Sequence, residues 1–284
     1  SISRKPIDSS NMQILEWQKI ASEIEKNQLD YDGFVILHGS DTMAYTASAL
    51  SFMLENLDRP VILTGSQLPM GIKRTDAKEN LITSIEIAYS GMVKEVCIYF
   101  EYQLFRGNRT VKVNADNFEA FESPNYAPIA KAGVRIKYNL EENQKPISGD
   151  FNVHKNLSDD VVILKLFPGI NKDVVATIIN KSKGIILETF GSGNAPTYEW
   201  FINLISQANK DGKIIINVSQ CLAGNVSQGQ YETSSELKRL GVVSGKDMTT
   251  EAAVTKLMFL LGKKLENDEI KKQMGLSLRG ELSN

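Results

Sequence analysis

Apolar residues in this chain alternate between short continuous runs and stretches in which they recur every third or fourth position. The first run, Phe34 to Leu37, follows Gly33 and stops abruptly in His38-Gly39-Ser40-Asp41-Thr42. A run without polar alternation suits a strand buried on both faces. Met43, Ala47, Leu50, Leu54 and Leu57 then recur at helical spacing, predicting a helix that reaches Asn56, with Ser40 or Asp41 as its N-cap. The polar cluster thus sits at a strand's carboxyl end, where open α/β sheets bind ligands.

The pattern continues in both directions. Ile14, Trp17, Ile20, Ala21 and Ile24 predict an earlier helix, which Ser10 and Gln13 would open as a capping box. After Asp58-Arg59-Pro60, VILTGS (61–66) supplies a second buried strand and completes a βαβ unit. Gln67 to Thr75 reads as a loop. Asp76 to Tyr89 reads as a helix with Leu81, Ile85 and Ala88 on one face, and Glu95 to Phe100 as a third strand. Arg106 to Lys112 breaks the pattern with Arg106, Arg109, Lys112 and Gly107. With Asn117 to Pro128, where Phe118 and Phe121 stand among turn formers, it predicts an ordered functional loop. Residues 138–160 are polar and charged and read as a linker.

Beyond it, strands are expected at Val161–Phe167, Gly184–Phe190 and Lys213–Ser219. Helices are expected at Asp173–Asn180, Thr197–Ala208, Ser234–Leu240, Thr249–Lys263 and Asp268–Met274. The fold class is α/β, in two domains with mainly parallel sheets flanked by helices: residues 1–137 and 161–284, joined by 138–160.

Length agrees, since 284 residues exceed the size at which one core usually stops growing. With 42% hydrophobic residues, 23% charged and a net charge of −2, nothing electrostatic favours nucleic acid or an anionic membrane; a small molecule is the expected partner. Cys97 and Cys221 form neither a disulfide framework nor a metal-ligand spacing, which fits a reducing compartment. No apolar run is long enough for a membrane span, and SISRKPIDSS has no signal-peptide core.

Familiar motifs are missing. There is no P-loop; Gly191-Ser192-Gly193-Asn194 lacks the third glycine of a dinucleotide turn; Ser66 lies in TGSQL, not in a nucleophile elbow. Taken singly, the polar residues have ordinary structural readings: His38 as a satisfied interior group, Ser40 and Ser9-Ser10 as caps, Asp41 as a carboxylate on a helix dipole, Lys112 as a solvated cation. Together, a hydroxyl, a carboxylate and a lysine are what nucleophilic acyl transfer uses.

HGSDTMAYTASALSFMLENLDRPVILTGSQLPM (38–70) resembles the L-asparaginase family, specifically its type I bacterial branch. IDSSNM (7–12), FRGNRTVK (105–112), FPGI (167–170), GSGNAP (191–196), DMTTEAAVTKL (247–257) and LRGEL (278–282) extend the likeness through most of the chain. The resemblance implies hydrolysis of L-asparagine to L-aspartate and ammonia through a covalent acyl-enzyme. It further implies a larger flavodoxin- or Rossmann-like N-terminal domain, a smaller C-terminal α/β domain, a cytoplasmic homotetramer built as a dimer of dimers, and no cofactor or metal.

Carried over by motif, Ser40 and Asp41 fall on the Thr-Asp pair of H-G-T-D-T, and Lys112 on the lysine that completes a triad activating the attacking group. Such a lysine needs burial or neighbouring cations to act as a base. Ser9 and Ser10 match positions that hold the substrate's α-carboxylate and α-amino group, Asp41 also facing the latter; Gly39 matches a glycine that opens the backbone to substrate. Gln220-Cys221 match a second, allosteric asparagine site of type I relatives. Serine at position 40 keeps threonine's hydroxyl but lacks the methyl that stiffens χ1.

The family's acyl-forming threonine belongs to a T-G-G-T-I motif followed by a tyrosine-bearing flap. Neither occurs in these residues, so an N-terminal segment carrying them is expected. A related reading, still an enzyme, is the asparaginase-like subunit of an archaeal tRNA-dependent amidotransferase, by fold-level analogy; the alternative of a different class is a catalytically silent asparagine-binding protein.

Overall fold

The computed structural model describes residues 6–139, 149–229 and 232–283. The chain divides into two compact units, Ser1–Lys155 and Asn156–Asn284.

In the first unit, α1 (Ile14–Asn27) leads into β1 (Phe34–Leu37), α2 (Met43–Met53), β2 (Leu54–Glu55), β3 (Val61–Thr64), α3 (Ala77–Ser90) and β4 (Val96–Phe100). Shorter strands follow: β5 (Gln103–Arg106), β6 (Val111–Lys112), β7 (Phe121–Glu122), β8 (Ala130–Lys131), β9 (Lys137–Tyr138) and β10 (Asn152–Val153). The main sheet has the order β1-β3-β4-β5-β8-β9. β1, β3 and β4 run parallel, with Ile36 opposite Leu63 and Leu63 opposite Ile98, and the remaining pairings are antiparallel.

The apolar runs of β3 and β4 are buried throughout, as a strand covered on both faces requires. Among the described residues β1 pairs with β3 alone; Phe34, Val35 and Ile36 are half-buried and Leu37 is 65% exposed.

Several local expectations also give way. α2 stops at Met53 because Leu54 and Glu55 pair antiparallel with Val153 and Asn152, so part of the stretch read as a linker is a strand of the first unit. Residues 140–148 of that stretch lie outside the described residues. The capping box is not formed: the N–H and hydroxyl of Ser10 both donate to Asp8 Oδ1, at 2.9 and 2.7 Å, and Gln13 precedes α1 without a side-chain cap. Neither Ser40 nor Asp41 caps α2; both lie in a single 3₁₀ turn, Ser40–Thr42, ahead of it. On α3 the buried face is Asn80, Thr83, Ser84, Ile87 and Ala88, while Ile85 is exposed.

The second unit comprises β11 (Val161–Lys165), α4 (Lys172–Lys181), β12 (Gly184–Thr189), α5 (Glu199–Lys210), β13 (Ile214–Ser219), α6 (Glu232–Arg239), β14 (Val243–Ser244), α7 (Thr250–Gly262) and α8 (Asn267–Met274). Its sheet, β11-β12-β13-β14, is parallel throughout. Val175 and Ile179 of α4 and Phe201 and Ile205 of α5 pack on Ile185, Leu187 and Ile215.

α7 carries a cation into the interior. Lys256 and Glu281 are fully buried and paired at 2.5 Å. Lys256 Nζ also donates to the carbonyls of Met274 and Leu276, and the Glu281 carboxylate accepts the N–H groups of Leu278 and Arg279. Both thiols are free, Cys97 buried in β4 and Cys221 exposed. Among the described residues, no helix is long and apolar enough to cross a membrane.

Candidate active site

At the end of β1, the N–H of His38 still donates to the carbonyl of Thr64, 2.8 Å away in β3. The chain then leaves the sheet at Gly39 and enters the Ser40–Thr42 turn. Only a bare Cα fits at Gly39, since a Cβ would stand 2.6 Å from Ser9 Oγ. Thr42 Oγ1 donates to the Ser9 carbonyl at 2.7 Å. These two contacts hold the Ser9–Asn11 turn against the Ser40–Thr42 turn. Ser9 is buried and Ser10 exposed.

His38 braces the junction. Its Nδ1 lies 2.7 Å from the Gly39 carbonyl and its Nε2 2.9 Å from Thr46 Oγ1, which accepts from Trp17 Nε1. A carbonyl can only accept, so Nδ1 carries the proton. Burial, partly opposed by the bond to Gly39, holds the imidazole below its ordinary pKa of 6.5. With the folded value depressed, the contribution of neutral His38 is complete above 6.5 and is lost as pH falls through the folded value. Urea midpoints measured from about pH 7.5 down to about pH 5 should therefore fall less for His38→Gln than for the wild type. Equal slopes would contradict this account of the histidine.

The three cations of 106–112 divide sharply. Arg106 pairs with Glu95 at 2.6 Å and stacks 4.4 Å from the Tyr126 ring, with Arg109 5.5 Å from the same ring. Both are buried in the scaffold. Lys112 is placed by the β6–β7 pairing, opposite Phe121, and reaches the turn after β1. Its Nζ donates to Ser40 Oγ at 2.9 Å and to Asp41 Oδ1 at 2.6 Å. The lysine side chain is 18% exposed and that of Asp41 64%, so the carboxylate faces solvent beyond a largely covered amine.

Gln67, just past the carboxyl end of β3, was legible only as part of a loop. Its Oε1 accepts from Ser40 Oγ at 3.2 Å. The carboxylate of Asp76 accepts the backbone N–H groups of Gln67 and Leu68, which fixes this loop beside the site. The one available signal was position: the loop follows the strand neighbouring β1 in a parallel sheet.

Gln220 and Cys221 lie in the second unit, at the carboxyl end of β13. Gln220 Nε2 donates to the carbonyls of Leu166 and Glu188, and the Cys221 N–H to Ser219 Oγ.

A lysine amine that donates to both a hydroxyl and a carboxylate, at a strand end of an α/β sheet, is a grouping suited to acyl transfer. The family description "Asparaginase, N-terminal" matches residues 3–144, and "Glutaminase/Asparaginase C-terminal domain" matches residues 160–274. L-asparaginase 1 of Escherichia coli K12 is 44% identical over 278 residues, which cover 98% of this chain and 82% of that protein. The crystal structure of L-asparaginase I from Vibrio cholerae superposes with a TM-score of 0.93 at 42% identity, covering 99% of this chain and 85% of that one. The human 60 kDa lysophospholipase is 43% identical over 97% of this chain, which spans 48% of that protein's length. The chain belongs to the asparaginase family.

Proposed function

We propose that this protein is a type I asparaginase that hydrolyses L-asparagine to L-aspartate and ammonia. The observation that carries the reading is Lys112 Nζ within reach of both Ser40 Oγ and Asp41 Oδ1, in a chain with this degree of identity to L-asparaginase 1. The reaction passes through an ester. A nucleophilic oxygen attacks the side-chain amide carbon, ammonia leaves, and water then attacks the ester to release aspartate. Each attack forms a tetrahedral oxyanion that needs hydrogen-bond donors.

In this reading Ser40, Lys112 and Asp41 are catalytic. Together they activate the attacking group: the amine exchanges its proton, the hydroxyl and the carboxylate orient the amine, and the carboxylate faces the substrate's α-amino group. Ser9 and Ser10 bind the α-carboxylate and α-amino group, and Gly39 keeps the backbone open beside them. The family resemblance gives the role of nucleophile to the first threonine of a T-G-G-T motif, which does not occur in residues 1–284.

The chain is read as an N-terminal and a C-terminal domain, a division that the family matches over 3–144 and 160–274 support. A cytoplasmic homotetramer, with Gln220 and Cys221 in a second asparagine site, completes the reading.

The decisive assay is ammonia release from L-asparagine by the full-length protein. Saturable asparagine binding without ammonia would replace the enzyme with a silent binder. Light scattering on the eluting protein reports the assembly, and a sigmoidal substrate curve that Cys221→Ser straightens reports the second site.

A further inference from the structure

Ser40 is held from two sides, and the second side is Gln67. The carboxamide nitrogen of Gln67 donates to the carbonyls of Ala115, at 3.1 Å, and Asn117, at 2.9 Å. Two carbonyls can only accept, so both amide hydrogens are engaged and the amide cannot turn over. Its oxygen must face Ser40, and an amide oxygen accepts only. The hydroxyl hydrogen of Ser40 therefore points at Gln67, and the serine oxygen turns a lone pair to Lys112, which donates. The backbone of Gln67 is pinned as well, by the carboxylate of Asp76, itself bound to Asn80 Nδ2 at 3.2 Å.

A serine has three staggered χ1 wells and no branch at Cβ to choose among them. We propose that Gln67 is a positioning residue that selects the Ser40 rotamer and the direction of its hydroxyl hydrogen, a restraint that a β-branched side chain would supply internally. Gln67 acts through Ser40 and not on the substrate. The inference rests on the catalytic role given to Ser40.

A cycle of four full-length enzymes tests it: wild type, Gln67→Met, Ser40→Thr and the double variant, with kcat, KM and thermal midpoint measured on L-asparagine. Gln67→Met should lower kcat about tenfold with KM nearly constant, as loosened geometry at a reacting group does. In the Ser40→Thr background the same change should cost less than about twofold, because the threonine methyl restrains χ1 without help. A loss of equal size in both backgrounds would overturn the proposal, since a loop-holding role does not depend on which hydroxyl residue stands at position 40. An unchanged kcat for Gln67→Met would overturn it too. If Gln67→Met folds poorly, Gln67→Leu enters the same cycle. Failure of the underlying reading looks different: Ser40→Ala would retain activity, whereas an inactive Ser40→Ala with additive effects of Gln67→Met removes only the inference.

Discussion

Replacing Ser40 with alanine should lower turnover on L-asparagine by at least about a hundredfold and leave the fold intact, since in the proposed mechanism the hydroxyl takes part in each tetrahedral step. The Ser40 oxygen stands between Lys112 Nζ, 2.9 Å away, and Gln67 Oε1, 3.2 Å away, in a turn outside any helix or strand ladder. Removing it leaves Lys112 with Asp41 alone and takes away the acceptor that holds the amine beside the turn. No core packing is lost, because Ser40 is only half-buried and joins no apolar cluster. The thermal midpoint should therefore stay close to that of the wild type, and KM should change less than kcat, as binding groups on the Ser9–Asn11 turn remain. Near-normal ammonia release by the alanine variant would remove Ser40 from the catalytic group.

The largest effect on stability is expected at Lys256 and Glu281. Both side chains are fully buried. Lys256→Met alone would strand a carboxylate in the interior, and Glu281→Gln alone an amine; each should cost about 3–5 kcal/mol. The double variant should cost clearly less than the sum, because no unpaired charge remains. Burial pushes the Glu281 carboxyl up, but Lys256 and the N–H groups of Leu278 and Arg279 together outweigh it and hold the group below its ordinary 4.5. Its contribution is thus present above pH 4.5 and lost as pH falls through the lower folded value. Urea unfolding of the two single variants and the double variant measures all three terms. A single variant losing less than about 1 kcal/mol would show that the pair does not hold the C-terminal tail to α7.

Much of the fold was legible because helices and buried strands carry their signals locally. Val96 to Phe100, Gly184 to Leu187 and Ile214 to Ile216 are uninterrupted apolar runs, and each lies in a strand inside a sheet. The misread features depend on partners distant in sequence. Leu54 continues the helical spacing of α2, yet its backbone is claimed by Val153, about which residues 43–57 hold no information. Ser10 and Gln13 have the spacing of a capping box, and Asp8, two residues earlier, competes successfully for the serine.

The site shows the same division. Ser40, Asp41 and Lys112 were reached through a family likeness and stand in contact in the structure. Gln67 was missed because a glutamine in a loop has no distinguishing spacing; its importance lies in three hydrogen bonds to residues 40, 115 and 117.

The two free thiols make the chain its own unfolding gauge. Cys221 is exposed and should react at once with a thiol reagent. Cys97 is fully buried among Ile62, Leu104 and Ala130, and burial, with Glu95 nearby, raises its pKa far above the ordinary thiol value. Its labelling must wait until the sheet around β4 opens. With Cys221 blocked in advance, the slow uptake of one further label per chain would time the opening of the very sheet from which the Ser40–Thr42 turn departs.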